Sequence, residues 1–347
     1  MKSEKPFLAM NLIPTGLGAS FGGYAGDGAP VTNLLASACD LLIAHPNALN
    51  AANFLEKREN VLYVEGYGID RFVEEDWGLR RVRSNRIGLL IDCAAEKLLP
   101  SLLNAANATR AHAGIEISGF ELTKEPVGAK VLRGVKGNFQ GEIANPDTLL
   151  QAAKRLVDGG AEAIAIACPI DLAGFDDEGY ASGNGPDPIG GIEAILSHLV
   201  VSEFGIPAAH APADLPWLPE GIVEPRLAAE ACGTTYLPCI LLGLARAPRF
   251  VLPSQRKHFD LFADDLDILV APYGCFGGPP MLACQKRKID MIAVRENSSV
   301  LSVTPESLGM SVLIASTYFE AAGMLLALKE GLSFDSLRRP IPALPRP

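Results

Sequence analysis

Basic side chains are in short supply: 30 lysines and arginines stand against 40 aspartates and glutamates, a formal net charge of -10 over 347 residues. Sequence-independent affinity for nucleic acid comes from basic groups releasing phosphate counterions, so this balance argues against a nucleic-acid partner. One local exception, Arg80, Arg81, Arg83 and Arg86 in GLRRVRSNRIG, reads as a solvated loop, or in a sharper reading as an anion-binding edge. Cysteine is scattered as well: the seven residues at 39, 93, 168, 232, 239, 275 and 284 form no CxxC pair and no zinc-finger spacing. That pattern fits a reducing compartment and calls for no metal. No leader is apparent, because FLAMNLI is short, is interrupted by Asn11 and runs into a glycine loop, so it reads as a first strand. Long apolar runs are missing too. The most membrane-like segment, MSVLIASTYFEAAGMLLALKEG, carries Glu320 at its middle and reads as a buried helix. These absences together predict a cytoplasmic protein with no membrane partner.

What the chain does have is the balance of a globular body, 48% hydrophobic and 20% charged residues. Apolar runs of strand length alternate with segments of helical period, the pattern of βα units in a sheet covered on both faces. The predicted strands are FLAMNLI, DLLIAH, NVLYVEG, RIGLLID, AEAIAIAC, DILVAP and IDMIAV. Between them, EKLLPSLLNAANATRAHAG predicts a helix ending at Gly114, and NPDTLLQAAKRLVDGG one capped by Asn145, begun at Pro146 and stopped at Gly159. The expected fold is α/β, with mainly parallel sheets covered by helices, in two lobes with a cleft between them. The lobes are placed at 1–117 and 145–340, joined by a crossing segment at 118–144 whose texture suggests short antiparallel strands. Asp40 to Gly66 and Asp267 to Asn297 echo one another as strand, loop, helix and strand, a likeness that either duplication or βα physics produces.

Ligands of open α/β sheets collect beyond the carboxyl ends of the strands, so strand ends are where chemistry is sought. The first strand enters IPTGLGASFGGYAGDGAP, where Thr15, Gly16, Gly18, Gly22 and Gly23 either bind an anion through backbone amides or form a plain mobile loop. The loop matches neither GxGxxG nor a P-loop. His45 and Asn47 lie where the second strand meets a helix, and Glu65 and Asp70 follow the third, suited to acid/base work or to capping.

In DILVAPYGCFGGPPMLACQKRK, Cys275 follows a strand, sits beside Gly277 and Gly278, and precedes a helix, where a dipole and free N–H groups would favour a thiolate. The alternative is a buried small hydrophobe. Cys168 also ends a strand, and two such thiols would suit two-base isomerisation. Cys284 reads as core, and Cys39, Cys93, Cys232 and Cys239 as packing. Asn184, Asp187, Glu193, His198, His210 and Asp214 gather in sequence without any recognised metal spacing. Arg295 is suited to clamp a carboxylate, with Asn297 beside it, or else to form a surface salt bridge.

The segments PTGLGASFGGYAGDGAPV, HPNALNAA, YVEGYGIDRF, HLVVSEFGIPAAHAP and GGPPMLACQKRKIDMIAVREN resemble a domain-of-unknown-function family, number 3326, found in cyanobacteria and plants. The resemblance covers nearly the whole chain. It implies a soluble protein of cytoplasmic or plastid type, and supplies neither a reaction nor catalytic residues.

From the residues themselves, the expectation is an enzyme of small-molecule metabolism acting on a carboxylate- or amide-bearing metabolite. Cys275 would be its nucleophile or acid/base, with Cys168, His45 or Asp70 as proton-transfer partner, in hydrolase, lyase or isomerase chemistry. Two alternatives stand beside it. One is a nucleotide- or phosphate-using transferase with Mg²⁺ held by Asp27 or Asp187, and the other a metabolite-binding protein without turnover. No cofactor is required by the sequence. The apolar C-terminal helix is read as core or as the surface of a homo-oligomer.

Overall fold

The computed structural model describes residues 5–24, 27–49, 58–135, 137–172, 186–213, 222–226, 228, 236–341 and 343–344, with the side chain of Asn47 outside that set. Its frame is two parallel sheets. The first, six-stranded, takes β1 (Leu8–Asn11), β2 (Leu41–Ala44) and β3 (Val61–Tyr63) from one end of the chain, and β13 (Leu266–Pro272), β14 (Asp290–Val294) and β15 (Leu313–Ala315) from the other, in the order β15-β14-β13-β1-β2-β3. The second, four-stranded, has the order β11-β9-β5-β6, from β5 (Arg86–Ile91), β6 (Glu116–Leu122), β9 (Ala163–Cys168) and β11 (Ala208–Pro212). All seven strands expected from the sequence form, each close to its predicted place.

Smaller pairings complete the sheets. β7 (Ala129–Arg133) and β8 (Phe139–Ile143) make an antiparallel hairpin joined by β10 (Ile170–Asp171), and β4 (Gly78–Arg80) pairs with β12 (Arg249–Val251). The sheets do not follow the chain-order segments 1–117, 118–144 and 145–340, since β5 and β6 join β9 and β11 while β13 joins β1. Both halves of the internal echo lie in one sheet, on either side of β1.

Helices cover both faces: α1 (Ala29–Ser37), α2 (Pro46–Leu49), α3 (Gly66–Val73), α4 (Leu99–Ala113), α5 (Pro146–Asp158), α6 (Gly190–Phe204), α7 (Tyr236–Ala245), α8 (Pro279–Arg287), α9 (Tyr318–Lys329) and α10 (Phe334–Leu337). Gly114 ends α4 at φ 65°, as its position predicts. Asn145 precedes α5, but its side chain donates to Pro126 O at 2.8 Å and caps nothing. The segment read as one buried helix near the C-terminus instead divides into β15 and α9, with the Thr317 hydroxyl accepting from Glu320 N at the boundary.

Strands buried on both faces explain the continuous apolar runs. On β2, Leu42 and Ala44 face one core while Leu41 and Ile43 face another. The first of these cores is shared by the two sheets: Leu42, Val61 and Tyr63 join Leu89, Ala165 and Ala209 around Leu237, Ile240, Leu241 and Leu244 of α7. A common core of this kind, not a solvent gap, lies between the sheets on that side. The contact is tightest where the ring of buried Tyr63 crosses Gly243, whose missing Cβ would stand 2.5 Å from the ring. Gly243→Ala is expected to lower stability by about 1–3 kcal/mol through overpacking, although glycine to alanine in an exposed helix stabilises by up to about 1 kcal/mol. Urea unfolding measures this, and an unchanged or higher stability would remove Tyr63–Gly243 as a constraint.

Candidate active site

Winding reverses between β1 and β13 in the first sheet and between β5 and β9 in the second, and such switch points open crevices at the carboxyl ends of strands. The glycine loop and Cys275 follow the first reversal, and Asp92 and Cys168 end the second. The sequence therefore singled out residues at both switch points, but the structure gives several of them other work.

The glycine loop is stitched down. Asn297 Oδ1 accepts from Phe21 N at 3.1 Å, and its Nδ2 donates to Phe21 O at 3.1 Å and to Tyr318 Oη at 2.8 Å. Ser20 N donates to Ser298 O at 2.9 Å and Val300 N to Leu17 O at 2.9 Å. Asn297 is thus a buried anchor of the loop, and the amides of Ser20 and Phe21 are already engaged. Gly16, at φ 69°, lies so close to Phe139 O and Gly191 N that a Cβ would meet them at 3.2 and 3.4 Å. Thr15 Oγ1 donates to Gly190 O at 3.4 Å. Thr15 and Gly16 therefore pack the loop onto the head of α6, where Asp187 Oδ1 accepts from Ile189 N at 2.8 Å. Gly18 and Gly22 take positive φ within the same loop, and Gly23 backs onto Ala19 O. Within the loop, burial pushes the Asp27 carboxyl up to about 6, against the pull of the Tyr24 and Gly22 amides and of Arg226.

Cys275 is 5% exposed and its Sγ lies 3.3 Å from Ser299 Oγ. Burial raises its thiol above the ordinary range, only partly offset by the Ser299 hydrogen bond, which is the opposite of the expected thiolate stabilisation. The helix that was to supply N–H groups begins Pro279-Pro280, and proline has none to give. Gly277 and Gly278 lead into that helix, with Gly277 set against Val303. Cys168 is fully buried, with Sγ 3.3 Å from Asp92 Oδ2. The two thiols end strands of different sheets, and no contact joins them among the described residues. Cys39, Cys239 and Cys284 are buried thiols pushed up to about 12, as packing residues should be.

Arg295 is exposed, with its guanidinium 4.2 Å over the Tyr273 ring, whose hydroxyl donates to Glu306 at 2.7 Å. It is a surface group stacked on an aromatic, not a clamp beside the thiol. Among the basic cluster, Arg80 is held by both oxygens of Asp260, at 2.9 and 2.7 Å, and Arg86 pairs with Glu162.

A different set of groups does come together, where the end of β3 meets α6. Buried Glu65 caps α3, with Oε2 accepting from Tyr67 N at 2.8 Å and Gly68 N at 3.3 Å, while Oε1 accepts from Ser197 Oγ at 3.2 Å. His198 Nδ1 lies 2.5 Å from the same Oε1, off the line of a hydrogen bond, so the pair is held by charge. The imidazole rests on Gly66, where a Cβ would come within 3.0 Å of Cε1, and its side chain is 38% exposed. Burial pulls His198 down, but the Glu65 carboxylate, helped by Asp70, outweighs it and leaves the imidazole above its ordinary value. Asp70, one turn into α3, is pushed up to about 6 by burial, against His198 and with the repulsion of Glu74 and Glu65.

His45 is buried beside this set. Its Nε2 bonds Ile13 O and so carries the proton, and burial lowers the ring below its ordinary value, against the pull of Ile13 O and Glu65. A second pair lies further along α6 and β11, where His210 Nδ1 is 3.1 Å from Glu193 Oε1 and its Nε2 is 3.0 Å from Cys168 O. His198 and His210 thus serve different carboxylates. Among the described residues, no group of three or more His, Cys, Asp or Glu is placed to hold a metal ion. The Asn47 side chain, Asn184, Asp214 and Cys232 lie outside the described residues.

The family described as "Protein of unknown function (DUF3326)" matches residues 8–338. A relative from Synechococcus sp. (strain ATCC 27144 / PCC 6301 / SAUG 1402/1), named an uncharacterized lipoprotein, is 42% identical over 324 residues, 92% of this chain and 90% of its own length. Among solved structures, the Escherichia coli transcriptional repressor ascG aligns with 72% of this chain and 93% of its own at 14% identity and a TM-score of 0.17, too low to carry an argument. The lipoprotein name corrects the cytoplasmic location expected from composition, since a relative this similar is named for a lipid-bearing class. Composition cannot see a lipid attached after synthesis. Among the described residues, no helix is long and apolar enough to cross a membrane.

Two titrations test the electrostatics. Asp27 has its folded value raised from 3.8 to about 6, so its proton is held more tightly in the folded chain and stability falls as pH rises between those values. Asp27→Asn, which can keep the Tyr24 contact, is expected to gain about 1–2 kcal/mol over wild type at pH 8 and nothing at pH 3 in denaturant titrations. A gain that is the same at both pH values would show that burial of the charge is not its cause. In NMR titrations, Glu65→Gln is expected to move the His198 midpoint down, and an unmoved midpoint would remove Glu65 as the partner.

Proposed function

We propose that this chain, which belongs to the DUF3326 family of proteins of unknown function, is an enzyme that moves protons on a small metabolite with His198 as its general acid/base. The observation that carries the reading is the half-open imidazole held against a buried carboxylate. Glu65, itself fixed by two backbone amides and Ser197, stabilises the imidazolium and orients the ring. Nδ1 faces the Glu65 carboxylate, and Nε2 is the nitrogen turned away from it to exchange a proton with substrate. Asp70, pushed up to about 6, is a second group able to carry a proton near neutrality, and two such groups suit lyase or isomerase chemistry, or hydrolysis through an activated water.

The charges beside His198 favour an amide or other neutral carbonyl over a carboxylate. Glu65 and Asp70 are both acids, and Arg71 is committed to Glu74 and Asp76. Cys168 and Cys275 support the walls of the two switch points in this reading, and the phosphate-transfer alternative draws no support from the Ser20 and Phe21 amides, which are already bonded.

Incubation of the purified protein with a cell metabolite extract, followed by mass spectrometry, tests the proposal. Wild type is expected to consume a metabolite, and His198→Asn to do so about 100-fold or more slowly, with Cys275→Ser close to wild type. Turnover by His198→Asn at the wild-type rate would overturn the assignment. A metabolite that binds and is never consumed would favour a binding protein instead.

A further inference from the structure

We infer that α9 is the contact face of a symmetric dimer, paired antiparallel with α9 of a second copy and crossing it at Gly323. The exposed positions of α9 are Phe319, Glu320, Gly323 and Leu326, with Glu330 exposed at its C-cap, and all but Glu320 follow the i, i+4, i+7, i+11 spacing of one helical stripe. The rest of the helix is taken up by its own fold: Tyr318, Ala321, Ala322, Leu325 and Ala327 are buried. Phe319 is 77% exposed and Leu326 50%, and a Cβ at Gly323 would meet nothing within 4 Å. An apolar helix face with a glycine at its centre lets a second helix approach closely there while larger side chains grip on either side.

A two-fold axis at Gly323 makes this stripe complementary to itself. Phe319 lies four residues before the axis and Leu326 three after, so along the shared stripe Phe319 of one copy comes within one residue of the level of Leu326 of the other, twice over. Like charges stay apart in this register. Glu320 falls opposite Leu326 and Glu330 opposite Ser316, while Lys329 is paired with Asp40 of its own chain at 2.6 Å.

Six of the sixteen large apolar side chains exposed among the described residues fall between 319 and 344, the others being Leu332, Leu337, Ile341 and Leu344. A stable interface buries roughly 800 Å² per partner, more than one helix stripe offers, so the dimer requires side chains of this stretch to share the face. A second copy fits better than an anionic lipid surface, because Glu320, Glu330 and Asp335 offset all but one of Lys329, Arg338, Arg339 and Arg346 and leave no polybasic cluster for headgroups.

Sedimentation velocity across a concentration series, on the full chain, is the experiment. Wild type is expected to be a dimer, and Leu326→Asp to weaken association at least tenfold with unchanged circular dichroism, since Leu326 is half exposed and belongs to none of the buried clusters. Under mild oxidation Gly323→Cys is expected to form a covalent dimer, because residues on the axis come within disulfide reach. Glu330→Cys, about 10 Å along the helix from the axis, is not. A wild-type protein that stays monomeric up to about 100 μM, where a standard-size interface is populated, overturns the inference. So does a dimer that Leu326→Asp leaves intact, cross-linking at 330 instead of 323, or a monomer that uses Leu326 to bind phosphatidylglycerol vesicles.

Discussion

Everything at the site depends on how α7 seats the two sheets against each other. Its apolar side chains fill the core common to both, and Gly243 leaves room for the end of the Tyr63 ring against the helix. Tyr63 ends β3, and Glu65 follows two residues later, so the contact that fixes the sheets also fixes the carboxylate. α6 carries Ser197 and His198 from the second sheet's side to meet it. A buried carboxylate is tolerated only where its oxygens are satisfied, and Glu65 draws its partners from both sides: two amides of α3 and two side chains of α6.

This division of labour explains what the sequence made legible. Strands buried on both faces leave short unbroken apolar runs, so seven were visible, whereas β11, with His210 at its middle, and β15, only three residues long, were not. Helix ends written in local chemistry, such as Gly114, could be read. Asn145 could not, because its side chain found Pro126 O, a partner nineteen residues away.

The site was partly legible for the same reason. Glu65, Asp70, His45 and His198 each stand out at a strand end or in a polar run, but Glu65 and His198 are 133 positions apart, and only the packing of α3 on α6 brings them into contact. Ser197 gave no signal beyond its place one turn after Glu193. Cys275 drew attention through its glycine neighbours, while the two prolines that remove the first two N–H donors of its helix stood in plain view. Asn297 and Arg295 were read as binding groups because they end a strand. The structure gives one of them a loop to hold and the other a tyrosine to cover.

The pairing of β1 with β13 joins residues separated by some 258 positions, with the whole second sheet lying between them in the chain. A chain growing from the ribosome can complete β5, β6, β9 and β11 by residue 212, yet β1 has no neighbour on its β13 side until residue 266 has emerged. The second sheet is therefore free to assemble during synthesis, and the first closes around it only near the end. In that interval the fully apolar edge of β1, Leu8 to Met10, is an unpaired strand edge, the point at which a nascent chain of this topology is most open to mispairing and most in need of a chaperone.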